Sequence, residues 1–302
     1  MSDAAPHAHF VIGPTASGKS AVAQYIAERE GQLIVSADSM NIYKGMDIGT
    51  AKPTFGDREK VDYAGFDLVE PTEKFNVAAY LDAVRPSFET GRNIIVVGGT
   101  GLYVKCLTEG FDDVPPENSE LRKELESLDF RALEKRAKAE AGGLYERLTE
   151  DDRQNPRRLI RILEKDGTAN SKWNSKPKPK LVGLYVERAV LLERIEKRVD
   201  EMYAAGLLEE AERLMGLELS QTAMQAIGYA EAFAVLKNEM TLEEAWEKTV
   251  IRTRQLAKRQ MTWFRNQLNV EWINTADFKT PEALAAAVSS VWQKNGPTPV
   301  QI

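Results

Sequence analysis

The stretch Gly13-Pro14-Thr15-Ala16-Ser17-Gly18-Lys19-Ser20 fills every fixed position of G-x-x-x-x-G-K-[ST] and decides the fold. Phe10-Val11-Ile12 before it reads as a buried strand, and the periodic run Ala21 to Ala27 after it reads as a helix. Strand, glycine-bearing turn and helix together make a phosphate-binding loop. Glycines let backbone N–H groups approach an oxyanion, the helix N-terminus adds partial positive charge, Lys19 adds a full one, and the Ser20 hydroxyl can hold Mg²⁺. The loop predicts a diphosphate or polyphosphate ligand and does not say which.

The same alternation continues through the first third of the chain. Leu33-Ile34-Val35 reads as a second strand, Asn76 to Thr90 as a helix and Ile94-Ile95-Val96-Val97 as a third strand. Such βαβ logic predicts an α/β protein, a phosphate-loop NTPase-like parallel sheet with helices on both faces and ligands at the carboxyl ends of the strands. The strands lead respectively into the phosphate loop, into Ser36-Ala37-Asp38-Ser39, and into Gly98-Gly99-Thr100-Gly101. After Asp112 to Pro116 the pattern turns to charged amphipathic helix as far as Asp166, and Leu181 to Val186 then returns as a strand. From Leu191 to Gln267 the chain is helix-like, broken at Gly206, Gly216 and Gly228. Residues 1–111 and 179–302 are thus expected to form the phosphate-loop core with a helical C-terminal region, and 112–178 a helical insertion.

At 302 residues and 43% hydrophobic content the chain can bury a full core. No apolar run approaches the ~20 residues that span a bilayer, and no secretory leader is visible, so a cytoplasmic protein is expected. The single cysteine, Cys106, excludes an internal disulfide framework, and with only two histidines no Cys/His zinc cluster can form. His7 and His9 fall in a polar tail expected to be a loose leader. The net charge of −6 is unevenly spread: Arg153 to Lys180 carries +7 and Lys248 to Arg265 carries +6, leaving −19 elsewhere. These runs are either basic surfaces for a phosphate backbone or solvated helix faces.

Asp38 ends a strand beside the loop and is the leading general-base candidate; a metal or water ligand and a helix cap are the alternatives. Asp47, on the following Gly45 to Pro53 loop, is the reserve. The Gly98 to Gly101 turn either contacts a phosphate or nucleotide or is simply tight. Arg157 and Arg161 share one helix face after Asn155-Pro156, a cap and first helical residue. Arg252, Lys258, Arg259 and Arg265 interleave with Trp263 and Phe264, rings suited either to base stacking or to core packing.

Together these stretches resemble the bacterial tRNA dimethylallyltransferase (tRNA isopentenyltransferase) family. The carrying segments are Gly13 to Ser20, Ser36 to Pro53, Gly98 to Tyr103, Asn155 to Arg161, Gln225 to Tyr229 and Thr253 to Arg265, in family order over about residues 10 to 273. The resemblance implies transfer of a dimethylallyl group from dimethylallyl diphosphate to N6 of the adenosine 3′ of the anticodon, with Mg²⁺ as cofactor held by Ser20. It implies Asp38 as base, with Lys19 and Thr15 in the catalytic set, and Gly13, Pro14, Thr15, Ala16, Ser17, Gly18, Lys19 and Ser20 around the diphosphate. It further implies tRNA contacts from Asp38, Ser39, Met40, Asn41, Thr100 and Arg122. The same role falls to Arg157, Arg158, Leu159, Ile160, Arg161, Arg254, Lys258, Arg259 and Arg265. The partners expected are a tRNA anticodon stem-loop and dimethylallyl diphosphate, with no membrane and the chain a monomer; a phosphate-loop small-molecule kinase or an adenylate dimethylallyltransferase is the alternative. One departure stands out: Tyr63-Ala64-Gly65-Phe66 replaces a His-His pair common in bacterial members.

Overall fold

The computed structural model describes residues 5–110, 118–165 and 177–302. The chain divides into two compact units, Met1–Gly110 with Pro177–Ile302, and Phe111–Lys176.

In the first unit the strands are β1 (His7–Ile12), β2 (Leu33–Ser36), β3 (Tyr63–Ala64), β4 (Ile94–Gly98), β5 (Lys180–Tyr185), β6 (Asn269–Asn274) and β7 (Thr298–Pro299). They form one sheet in the order β3-β2-β4-β1-β5-β6, parallel throughout, with β7 antiparallel to the start of β1. A parallel sheet is covered on both faces, so its central strands must be apolar on both sides. Phe10, Val11, Ile12, Ile95, Val96 and Leu184 are accordingly all but inaccessible. The Lys19–Glu30 and Pro281–Asn295 helices pack against each other over this sheet through Val22, Ala23, Ile26, Val288 and Trp292. A second core gathers Ile42, Tyr43, Met46, Leu207, Ala211, Leu214 and Tyr229 around the loop that follows β2.

The expected C-terminal helices are Arg188–Ala204, Leu207–Leu214, Gln221–Met224, Tyr229–Leu236 and the 26-residue Leu242–Gln267. Gly206 and Gly228 occupy the predicted breaks as N-caps. His7 and His9 correct the expectation of a loose leader. Both lie in β1, where His7 pairs with Pro299 and His9 stacks on Trp292 at 4.7 Å. An aromatic partner 283 positions away anchors the imidazole, which local polarity alone could not reveal. The sequence pattern does not predict β3, β6 or β7, and the Pro281–Asn295 helix extends the expected helical C-terminal region.

The second unit is helical over its described part, as expected: Ser119–Glu126, Phe130–Glu140, Gly142–Glu146, Glu150–Arg153 and Pro156–Glu164. Leu125, Leu133, Ala137, Leu159 and Ile160 form its core. Asn155 caps the last helix by accepting from the Arg157 N–H at 3.0 Å, with Pro156 at the first position. The portion of the basic run at residues 166–176 lies outside the described residues.

Candidate active site

Gly13 to Ser20 links β1 to the Lys19–Glu30 helix. Gly13 has φ +154°, and a Cβ there would collide with the Leu184 carbonyl and come within 2.9 Å of Ser17 Oγ, so the first position of the loop must be glycine. The Lys19 ammonium folds back under the loop and donates to the Pro14 carbonyl at 3.3 Å. Its enclosure pushes its pKa down to about 8; Asp38 opposes that shift and Arg198 adds to it. A cation held with so few partners is poised for an anion.

β2 ends in Ser36, and the chain then presents Asp38. One Asp38 oxygen accepts the Met40 N–H at 2.9 Å. β4 ends in Gly98, and Thr100 takes over: its Oγ1 accepts the Ser39 N–H at 2.9 Å and its hydroxyl donates to Ser39 Oγ at 3.2 Å. A cavity of about 500 Å³ opens at these carboxyl ends, lined by Thr15, Lys19, Ser20, Asp38, Asn41 and Arg198 among others. Cation, hydroxyls and carboxylate thus face one space, as the rule for open α/β sheets requires.

Asp47, the reserve base, is elsewhere. Its carboxylate is bound at 2.7 Å by the buried Lys52 ammonium, which also holds Asp67 and the Tyr43 carbonyl, both at 2.5 Å. Asp47 does not line the cavity, whereas Lys52 and its neighbours Thr50, Ala51 and Pro53 do. Where the family commonly has its histidine pair, Tyr63-Ala64 forms the edge strand β3 against Ile34 and Val35. The Tyr63 hydroxyl donates to Gln24 Oε1, its ring meets Phe66 edge-on at 5.3 Å, and both rings wall the cavity.

Arg198 was missed by sequence reasoning. It projects from the Arg188–Ala204 helix, where it is one of several charges on an amphipathic pattern, and it borders both this cavity and a neighbouring one of about 580 Å³. Burial lowers its pKa while Asp38 raises it. Gln260 was also missed as a residue in its own right: its side chain reaches the Thr15 N–H at 2.8 Å.

The basic candidates separate into two groups. Lys258, Arg259 and Arg265 are exposed on the Leu242–Gln267 helix, Arg254 is half-exposed, and none has a carboxylate partner among the described residues. Arg252 does not belong with them. It is bound to the buried Glu231 at 2.5 Å and to the Gln225 carbonyl at 2.7 Å, a structural pair. Phe264 is fully buried and Trp263 half-buried, so the core-packing alternative holds for the first ring.

In the helical unit, Arg157 is exposed, Arg158 lies 3.4 Å from Asp152, and Arg161 and Arg122 both pair with the buried Glu164, at 2.9 and 3.6 Å. Leu159 and Ile160 require correction as contact residues. Their side chains are 0% and 4% exposed in that unit's core, because the helix turns them inward opposite its arginines.

Comparison with known proteins accords with this geometry. The family model IPP transferase matches residues 41–267, and the model Isopentenyl transferase matches residues 6–62. The chain is 39% identical to the tRNA dimethylallyltransferase of Pelotomaculum thermopropionicum over 92% of its own length and 94% of the relative's. It is 40% identical to that of Acetivibrio thermocellus over 91% and 93%. Among solved structures it resembles the tRNA isopentenylpyrophosphate transferase of Bacillus halodurans, with TM-score 0.68, 34% identity and 94% and 95% coverage. A eukaryotic dimethylallyltransferase acting on tRNA shares the fold at TM-score 0.78 and 22% identity, with 96% and 80% coverage. A strand-end aspartate facing a phosphate loop, and a match extending over nearly the whole chain, lead to one conclusion: this chain belongs to the IPP transferase family of enzymes.

Proposed function

We propose that this protein transfers a dimethylallyl group from dimethylallyl diphosphate to the exocyclic N6 of the adenosine 3′-adjacent to the anticodon of tRNA, releasing diphosphate. The observation that carries the reading is the single cavity into which Lys19, Ser20 and Asp38 all open. A diphosphate on the loop leaves its prenyl carbon facing the strand-end carboxylate. The reaction forms the N6–C1 bond, breaks the C1–O bond to diphosphate and passes one N6 proton to Asp38.

Each group has a task in that step. The N6 lone pair is delocalised into the purine, so a base on its proton lowers the barrier. Lys19 and Arg198 stabilise the negative charge that grows on the departing diphosphate. Thr15 borders the same space, where its hydroxyl can donate to the leaving oxygen. The target base is stacked in its RNA and must be extruded to reach Asp38. The exposed Lys258, Arg259 and Arg265 suit the RNA backbone; a small-molecule kinase would leave them idle.

Mg²⁺ fits the residues present. Among the described residues no cluster of three or more His, Cys, Asp or Glu could hold a metal alone. The exposed Ser20 hydroxyl, together with diphosphate oxygens, is the hard-oxygen donor set that Mg²⁺ accepts. When bound, the ion would neutralise charge on the leaving group.

The test is mass spectrometry of nucleosides from tRNA incubated with the protein, dimethylallyl diphosphate and Mg²⁺. N6-isopentenyladenosine appearing only with all components is the expected result. Its absence, or phosphate release from ATP coupled to modification of a small molecule, would overturn the reading.

A further inference from the structure

We propose that Gln260 is a positioning residue that transmits tRNA engagement to the donor diphosphate site; this rests on the function just given. Gln260 lies on the Leu242–Gln267 helix and inserts its amide between two catalytic segments. Its Oε1 accepts the Thr15 N–H at 2.8 Å and its Nε2 donates to the Gly99 carbonyl at 3.1 Å. One side chain thereby fastens the phosphate loop to the turn after β4.

From that turn the connection runs on to the base. The Thr100 N–H donates to the Ala37 carbonyl at 3.1 Å, and Thr100 Oγ1 holds the Ser39 N–H, so the backbone on both sides of Asp38 is fixed to the turn that Gln260 grips. Thr15 on the donor side and Asp38 on the acceptor side are therefore joined through one amide. The glycines of the turn serve this contact. A Cβ on Gly99 would collide with Gln260 Nε2, and one on Gly101 with the Trp263 ring, so the turn is bare of side chains where the helix docks.

The same helix bears Lys258, Arg259 and Arg265 toward solvent. A helix moves as a stiff body over such a short span. RNA bound by those cations biases the position of the Gln260 amide, and the amide sets the Thr15 backbone. Coupling of this kind is reciprocal: RNA tightens donor binding by the factor with which the donor tightens RNA.

The experiment measures dissociation constants for inorganic diphosphate with Mg²⁺ by calorimetry, using the full chain with and without a saturating anticodon stem-loop RNA. The wild type is compared with Gln260→Leu and Gln260→Glu. In the wild type RNA tightens diphosphate by about fivefold or more, the low end of allosteric couplings. In Gln260→Leu that factor falls to near one while affinity for RNA alone is retained. Gln260→Glu keeps the acceptor for the Thr15 N–H but cannot donate to Gly99, and its factor falls between the two. Should Gln260→Leu lose its cooperative melting transition, Gln260→Met provides the same comparison. No coupling in the wild type, or wild-type coupling in the apolar variant, overturns the inference. Prenyl transfer assayed on the same wild-type preparation separates the two readings: transfer without coupling sinks this inference alone, and coupling without transfer sinks only the proposed reaction.

Discussion

Tyr229 donates its hydroxyl to the buried carboxylate of Glu210, and the two residues together hold the backbone of Asp47 to Gly49. Glu210 Oε1 accepts the Asp47 and Ile48 N–H groups at 3.2 and 2.9 Å, and the Tyr229 oxygen accepts the Gly49 N–H at 3.2 Å. A Cβ on Gly49 would collide with the Tyr229 ring. The Gln225 to Tyr229 signature, chemically silent as a sequence, thus braces the loop whose next residues wall the cavity.

Tyr229→Phe removes a donor to a buried carboxylate and an acceptor for a backbone N–H. Stability should fall by roughly 1–3 kcal/mol, the cost of leaving such groups unpaired. Urea unfolding would show a lower midpoint with an unchanged slope. A midpoint equal to wild type would deny the brace.

Lys19 gives a pH dependence with a definite sign. Its pKa falls from 10.5 to about 8 on folding, chiefly through burial. Between those values the unfolded chain binds more protons, so this group's contribution to stability rises with pH across that window, and its full cost is present below pH 8. Lys19→Met should therefore stabilise the free protein at pH 7 by about 1–3 kcal/mol and abolish diphosphate binding. In the wild type, affinity for inorganic diphosphate should decline as pH rises above about 8. Thermal melting and calorimetry at several pH values check both limbs.

The two loop aspartates should separate cleanly. Asp38→Asn lowers the single-turnover rate by ~10²-fold or more with RNA affinity retained, because it removes a general base. Asp47→Asn leaves chemistry near wild type, since Asp47 is occupied with Lys52. A slow Asp47→Asn beside a fast Asp38→Asn would reverse the assignment.

Arg252 and its helix neighbours should part in the same way. Arg252→Ala strands the buried Glu231 and costs about 3 kcal/mol of stability. Lys258→Ala and Arg265→Ala should each change stability by less than ~0.5 kcal/mol. Each should also lower the slope of log RNA affinity against log salt by about 0.7. Filter binding across a salt series, alongside melting curves, tests the division.

What could be read from the sequence follows how locally each feature is determined. The loop and the central strands declare themselves because a buried parallel strand is apolar at every position and is followed at once by its turn. β6 hides because Asn269-Val270-Glu271-Trp272-Ile273-Asn274 is a half-buried edge strand with polar residues between apolar ones. β3 and β7 are two residues each and have no periodicity to detect. Arg252 and Arg265 look alike in a basic run, and only a glutamate 21 positions before Arg252 tells them apart. Gln260 and Arg198 sit on amphipathic helices, where nothing marks one polar residue as aimed at a distant loop. Leu159 and Ile160 entered with a signature whose apolar members serve the core.

β1 is paired at its start with the last strand of the chain, and the Trp292 indole donates to the Phe10 carbonyl at 3.2 Å. On a ribosome this has a consequence for timing. The phosphate loop emerges well before the Pro281–Asn295 helix that packs on its own helix and the β7 strand that pairs with its own strand. Such non-local closure is slow and leaves the sheet face beneath the Pro281–Asn295 helix uncovered until that helix emerges. The catalytic loop is thus made well before it is closed, so a nascent chain stalled before Pro281 would hold every catalytic side chain and lack the helix that closes their core.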